Sequence, residues 1–367
     1  MGRIVNDDQP PPAALRFGNP LAFGGSSPRA TGDFNNDGRT DLVVTSSAGV
    51  SARLGNGDGT FRPPGATTAT AAVNGLATAE VNRDGKLDLV MASSSSTAAV
   101  GILLGNGDGT FRPGRAYALP LMGPLPFSKP SAQVAADVTV GDVNSDGMTD
   151  LIVRGTQSYA APRIGGTKEY ANVFLGRGDG SFDSGVAAAV IDRRAGIALY
   201  PAVHPTVVAD FTGDGRPDVL MDGSLLAGDR TARLGSPVAV APGLLGQLAT
   251  GDVNSDGKLD LVRTGPGVVG VYLNNGDGTF RAGQTLVTDA TTAGAALVAD
   301  FDRDGRLDIL TAGNVATTVL RGNGDGTFRP AETVAPAGNP TLVADVNGDG
   351  LPDLLDATAV RLNLGTW

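Results

Sequence analysis

The sequence predicts an all-β fold: a seven-bladed β-propeller of four-stranded blades, closed by an N-terminal strand that completes the last blade. Three observations predict it. An acidic loop begins at Asp33, Glu80, Asp142, Asp210, Asp252, Asp300 and Asp345, with successive gaps of 47, 62, 68, 42, 48 and 45 residues. A period near 45 residues is the length of one propeller blade. A glycine-rich turn follows most copies, at Gly55–Phe61, Gly105–Phe111, Gly176–Phe182, Asn274–Phe280 and Gly322–Phe328. Its Asn-Gly and Asp-Gly steps supply the positive φ of a hairpin between a blade's third and fourth strands. The last copy lacks a fourth strand, and the N-terminus carries a spare one.

In order, one blade reads as strand A, the acidic loop, strand B (Asp260 to Arg263), strand C (Val268 to Leu273), the turn, and strand D from Phe280. The last loop, Asp345 to Asp353, is followed by strands B and C alone before Trp367. The spare piece, Ala14 to Phe23, placed beside Arg361 to Leu364, completes blade seven. Such closure removes exposed strand edges. Residues 1–367 therefore read as a single domain, with 1–12 a disordered tail and 13–24 the closing strand.

Composition agrees. Gly 54 and Pro 23 make about a fifth of the 367 residues, as many short strands joined by turns require. No apolar run reaches transmembrane length, so no membrane insertion is expected. Residues 1–12 contain no apolar signal-peptide core. The absence of cysteine excludes disulfides and thiolate metal sites. Basic residues form no stripe with interleaved aromatics, which argues against nucleic acid.

The fifth loop shows the chemistry most plainly. From Asp252, oxygen-bearing side chains fall at positions 1, 3, 5 and 9 (Asp252, Asn254, Asp256, Asp260), with Gly257 at position 6. Alternate side chains turned inward around a glycine turn are how a short loop wraps a hard cation. Lys258, at position 7, can offer only its backbone carbonyl. An EF-hand would carry glutamate at position 12, where Arg263 stands, and a β-like Leu261-Val262 follows in place of a helix. The loop reads as a calcium site between two strands.

These residues resemble the FG-GAP or VCBS repeat family, which includes the integrin α-subunit propeller and several sugar-binding fungal lectins. The resemblance implies side-chain calcium ligands at positions 1, 3, 5 and 9, and a backbone carbonyl at 7. Carried over, the first loop contributes Asp33, Asn35, Asp37, Arg39 and Asp41; the third Asp142, Asn144, Asp146, Met148 and Asp150. The fifth adds Lys258 to the four residues above; the sixth uses Asp300, Asp302, Asp304, Arg306 and Asp308; the seventh Asp345, Asn347, Asp349, Leu351 and Asp353. Two loops depart from the pattern. The second opens on Glu80, before Asn82, Asp84, Lys86 and Asp88. The fourth has Thr212 at position 3, within Asp210, Asp214, Arg216 and Asp218. The cofactor implied is calcium, at up to seven sites. Weak sites fill where calcium is plentiful, so the expected location is extracellular or at the cell surface.

The bland alternative is an Asp-Gly turn that binds nothing. Charge argues against it. Of 38 acids, 22 lie in the seven loops, leaving 16 elsewhere against 28 lysines and arginines. The net charge of −10 is therefore concentrated where cations would sit, and seven divalent ions would make it +4.

Other motifs are weaker. Arg177-Gly178-Asp179 occupies a turn where other blades have Asn-Gly-Asp, and reads as a hairpin variant. His204 is the only histidine and no Gly-x-Ser-x-Gly elbow is present, so no catalytic group emerges. The two widest gaps place extra chain near blade three, at Leu119 to Gln133, Gly155 to Tyr170 and Asp192 to Thr206. Strands alternate in direction, so all three insertions fall on the face opposite the acidic loops. They carry Tyr117, Phe127, Lys129, Tyr159, Arg163, Lys168, Tyr170, Tyr200 and His204 as candidate ligand-binding residues. Long loops grouped on a rigid scaffold are where binding concentrates. By resemblance, the function expected is non-catalytic recognition of a glycan or protein by a monomer. A carbohydrate-active enzyme such as a polysaccharide lyase, or a structural propeller within a surface protein, are the alternatives.

Overall fold

A computed structural model describes residues 15–22, 27–68, 70, 72–95, 98–120, 134–159, 166–194, 206–221, 223–240, 247–288, 295–312, 317–334 and 339–366. All its regular elements are β-strands, so no described helix could cross a membrane. The strands form seven antiparallel blades. Blade five is representative: strand A Leu248–Gly251, B Asp260–Gly265, C Val268–Asn274 and D Phe280–Val287, hydrogen-bonded in that order.

After its aspartate, strand B carries an unbroken apolar run in every blade, as in Leu42-Val43-Val44 and Leu151-Ile152-Val153, because both its faces are covered by neighbouring blades. The buried apolar side chains fall into seven clusters, one at each seam between blades. Every seam receives the position-2 residue of one acidic loop. Phe34 fills the seam of blades one and two, Phe211 that of four and five, and Phe301 that of six and seven. The phenylalanine closing the next blade's turn meets it, as Phe111 meets Phe34 edge-on at 5.7 Å between ring centroids.

Blade seven closes as expected. Its strands Leu342–Ala344, Asp353–Leu355 and Ala359–Arg361 take Leu21–Ala22 as the fourth. Leu15–Phe17 continues the pairing along Asn363–Thr366. The N-terminal segment thus runs antiparallel to the last strand from residue 15 to residue 22.

Three departures have physical causes. Blade one shows only three regular strands, Ser27–Gly32, Asp41–Ser46 and Gly49–Arg53. Among the described residues its fourth segment pairs through Phe61, Arg62, Gly65 and Thr68, because Pro63 and Pro64 have no N–H to donate. Blade four has a turn that the Gly-Asn-Gly pattern does not reveal: Gly228 bridges Leu234, and Ala232 takes φ 57° where its counterparts are glycine. The insertion Gly155 to Tyr170 is not all loop. Strands B and C of blade three lengthen into it, as Asp150–Tyr159 and Gly166–Phe174.

Candidate functional site: seven acidic loops on one face

In each loop, position 6 is a glycine at φ 77–83°, from Gly38 in the first to Gly350 in the last. Position 4 is also left-handed, at Asn36, Arg83, Ser145, Gly213, Ser255, Arg303 and Gly348, with φ 58–77°. Two left-handed residues flanking position 5 curl the loop into a cup. The sequence hinted at position 4 only where glycine stands, at Gly213 and Gly348.

The oxygens converge inside that cup. Asp37 N–H donates to Asp33 Oδ1 at 3.1 Å and to Asn35 Oδ1 at 3.2 Å, so those two oxygens lie side by side. The same fork recurs at Asp146, Asp256 and Asp304. In the sixth loop, carboxylate oxygens of Asp300, Asp302 and Asp304 all lie within 4.8 Å of one another. Position 5 turns its own Oδ1 back to the position-7 N–H, for instance that of Met148 at 2.8 Å or Leu351 at 2.8 Å. These all-oxygen, predominantly anionic cups fit a hard divalent cation such as calcium.

The two aberrant loops differ in detail. Glu80 reaches across with one oxygen, Oε1, which accepts from both Asn82 and Asp84 N–H. In the fourth loop Asp210 Oδ1 accepts from Gly213 and Asp214, and Thr212 presents a buried hydroxyl with no partner. That orphaned oxygen fits a site completed by a cation.

Position 9 has a further task. Asp41, Asp88, Asp150, Asp218, Asp260, Asp308 and Asp353 are all essentially buried. In every blade Oδ2 accepts from the position-2 N–H at 2.9–3.1 Å. Oδ1 accepts from the N–H where strand C enters its turn, or from Asn363 N–H in blade seven, at 2.7–2.9 Å. One carboxylate thus ties the acidic loop to the C–D turn. Each oxygen keeps a second lone pair, so this strut remains able to ligate. Burial pushes the Asp41, Asp88, Asp150, Asp260, Asp308 and Asp353 carboxyls up, to about 7 for Asp308 and about 6 for Asp150 and Asp353. A cation nearby would pull them back down.

The loops and C–D turns share one face. Gly109, Gly180, Gly278 and Gly326 N–H donate to the position-2 carbonyls of the preceding blades' loops (Phe34, Val81, Phe211, Val253). Thr40 Oγ1 donates to Asp345 O at 2.8 Å, and Thr149 Oγ1 to Glu80 O at 3.1 Å, joining successive loops around the ring. The position-7 side chains Arg39, Lys86, Lys258 and Arg306 lie over their own blade's turn: a Cβ on Gly276 would stand 2.8 Å from Lys258 Cε. This leaves only the position-7 backbone for a metal.

Of the expected ligand-binding residues, the structure describes the side chains of Tyr117, Lys168 and Tyr170. Tyr170 is 3% exposed inside strand C of blade three, its hydroxyl donating to Gln157 Oε1. It belongs to the core and not to a surface loop. Tyr117 lies half-buried between blades, edge-on to Phe174 and Phe182, its hydroxyl accepting from Phe182 N–H. Both were drawn inward because tyrosine carries a large apolar body. Lys168 is half-buried on strand C, and Tyr159 ends strand B. Phe127, Lys129, Arg163, Tyr200 and His204 lie outside the described residues. Within Arg177-Gly178-Asp179, Arg177 pairs with Asp183 and Asp179 caps Ser181 N–H, so both ends of the tripeptide serve the turn itself.

A cavity of about 480 Å3 opens at the seam of blades three and four. Val173, Leu175 and Leu234 make an apolar floor; Asp183, Ser184, Thr231 and Arg233 make a polar rim. Leu234 stands where five other blades place a phenylalanine, and the smaller side chain leaves the space.

Fold and loops together define a repeat propeller of the acidic-loop kind. The chain belongs to the family described as FG-GAP-like repeat, whose model matches residues 33–91, 80–153, 252–311 and 300–355, more than half of the sequence. No curated protein matches it. Among solved structures, an Agrocybe aegerita lectin that specifically recognises non-reducing terminal N-acetylglucosamine is 22% identical, with TM-score 0.58 over 84% of this chain and 80% of the lectin. BBS1N, solved in complex with ARL6DN, is 11% identical, with TM-score 0.56 over 95% and 96% of the two chains.

Proposed function

We propose that this chain is a calcium-binding, non-catalytic recognition module for a glycan, working outside the cell. The observation that carries the ligand class is the blade three–four cavity. A sugar ring has an apolar C–H face and a hydroxyl edge, and Val173, Leu175 and Leu234 beneath Asp183, Ser184 and Arg233 match the two. The fold shared with a lectin supports the same class. Bound calcium would supply positive charge that neutralises the cups and fixes the face on which this cavity opens.

A glycan array, run in calcium and in EGTA, tests the reading. Binding should be lost in Ser184→Trp, which fills the rim, and weakened in Arg233→Ala, with melting temperature unchanged in both. No binding to any glycan overturns the function; unchanged binding in both variants overturns the location.

A second location rests on a separate observation. Strands B and C of blade three run 10 and 9 residues, whereas strand B elsewhere runs 3 to 6, so this hairpin extends on the face away from the loops. Loss of binding in Tyr159→Ala or Arg163→Ala, with Ser184→Trp intact, places the ligand there.

A further inference from the structure

The sixth loop departs from the others in two places at once. Position 3 is asparagine in five loops and threonine in the fourth, but Asp302 in the sixth. The residue just before the strand-C N–H that the position-9 carboxylate binds is leucine in five blades (Leu362 in blade seven included) and Ala227 in the fourth, but Arg321 in the sixth. Each substitution explains the other.

Elsewhere, the position-3 amide does two things. Its oxygen joins the cup, and its Nδ2 donates to position-5 Oδ2 at 2.9–3.2 Å. Asp302 cannot donate. In its place Arg306 holds Asp304 Oδ2, through Nε at 3.0 Å and Nη2 at 2.6 Å. Asp302 itself takes Arg321 Nη1 on Oδ2 at 3.1 Å, and the two side chains are only 7% and 4% exposed. Glu332 Oε2 lies 3.5 Å from Arg321 Nη2. A guanidinium, charged at every physiological pH, therefore stands permanently against the loop that carries the most acids.

Space for it comes from the ring's closure. The leucine at this position normally packs under the next blade's turn: a Cβ on Gly109 would stand 2.6 Å from Leu54, and one on Gly326 2.9 Å from Leu273. Blade seven has no such turn, because the N-terminal segment takes its place. At this seam the site of the leucine is free for a longer, charged side chain.

We propose that Arg321 is an internal counter-cation that holds the sixth loop in shape without calcium, making it the metal-independent anchor of the seam where the ring closes. This rests on the calcium reading of the other loops. Arg321 acts through Asp302 as a positioning residue.

Hydrogen exchange of the full chain in calcium and in EGTA tests it. On chelation, the Asp256 and Gly257 amides of loop five should lose protection at least tenfold, while Asp304 and Gly305 of loop six keep theirs. Arg321→Leu should make loop six respond to EGTA. Should that variant fail to fold, D302N/R321L restores the asparagine–leucine pair of five other blades, and its loop six should then behave like loop five. The proposal is overturned if wild-type loop six loses protection with loop five, or if D302N/R321L keeps loop six protected in EGTA. If no loop responds to EGTA, the calcium reading fails, an outcome distinct from either.

Discussion

Phe17 meets Phe301 edge-on, with ring centroids 6.4 Å apart and planes at 76°. The same geometry joins Phe34 to Phe111 at the first seam. In that seam the second ring comes from the glycine-rich turn of the following blade. Blade seven lacks that turn, and a phenylalanine from more than 300 residues upstream takes the position. The N-terminal segment therefore supplies a packing residue as well as hydrogen bonds.

Phe17→Ala should cost roughly 2 kcal/mol, about half the loss for a fully buried phenylalanine, because Phe17 is only half-buried. Denaturant unfolding measures it. Deleting residues 1–24 should cause aggregation or a much larger loss, whereas deleting residues 1–10 should leave the midpoint unchanged.

The position-9 carboxylates make a second prediction. Asp260→Ala strands two buried N–H groups, those of Val253 and Asn274. Each unsatisfied buried donor costs about 1–3 kcal/mol, so the variant should lose roughly 2–6 kcal/mol even in EGTA. Asp256→Ala, at an exposed position of the proposed calcium cup, should destabilise in calcium and be nearly silent in EGTA.

Position 4 gives a gain. Ser255 holds φ 58°, a conformation that costs a side-chain-bearing residue roughly 1 kcal/mol. Ser255→Gly should raise the melting temperature slightly, because Gly213 and Gly348 already occupy that position in other loops.

The buried struts also set a pH dependence for the chelated protein. Burial pushes Asp308 up to about 7, and Asp150 and Asp353 up to about 6, from the usual 3.8. A raised folded pKa means that the folded state takes up protons before the unfolded state does. In EGTA, stability should therefore rise as pH falls from 8 towards 5. In calcium the trend should flatten or reverse, because protons then compete with the cation. Melting curves at three pH values in each buffer decide it.

Much of this was legible in the sequence, because a repeat states its own period. Asp33 to Asp353 marked seven blades, and Ala14 to Phe23 was recognisably the missing strand. The oxygens that line each cup were legible for the same reason. The strut role of Asp41 and its counterparts was not, since a ligand and a hydrogen-bond acceptor are the same residue type. For Tyr170, the reading of the insertions failed where periodicity ends. Tyr170 sits in a chain excess that looked like loop, yet pairs as strand and is buried. The Arg321–Asp302 pair was invisible because its members are 19 residues apart and each is unremarkable alone.

The central claim, that the acidic cups hold calcium and that calcium stabilises the ring, is tested most directly by melting chelated protein during calcium titration. Each filled site contributes about 2.7 kcal/mol at a hundredfold excess over its dissociation constant. The midpoint should climb by many degrees as calcium is added and fall back in excess EGTA. A midpoint that stays fixed from EGTA to millimolar calcium would contradict the account.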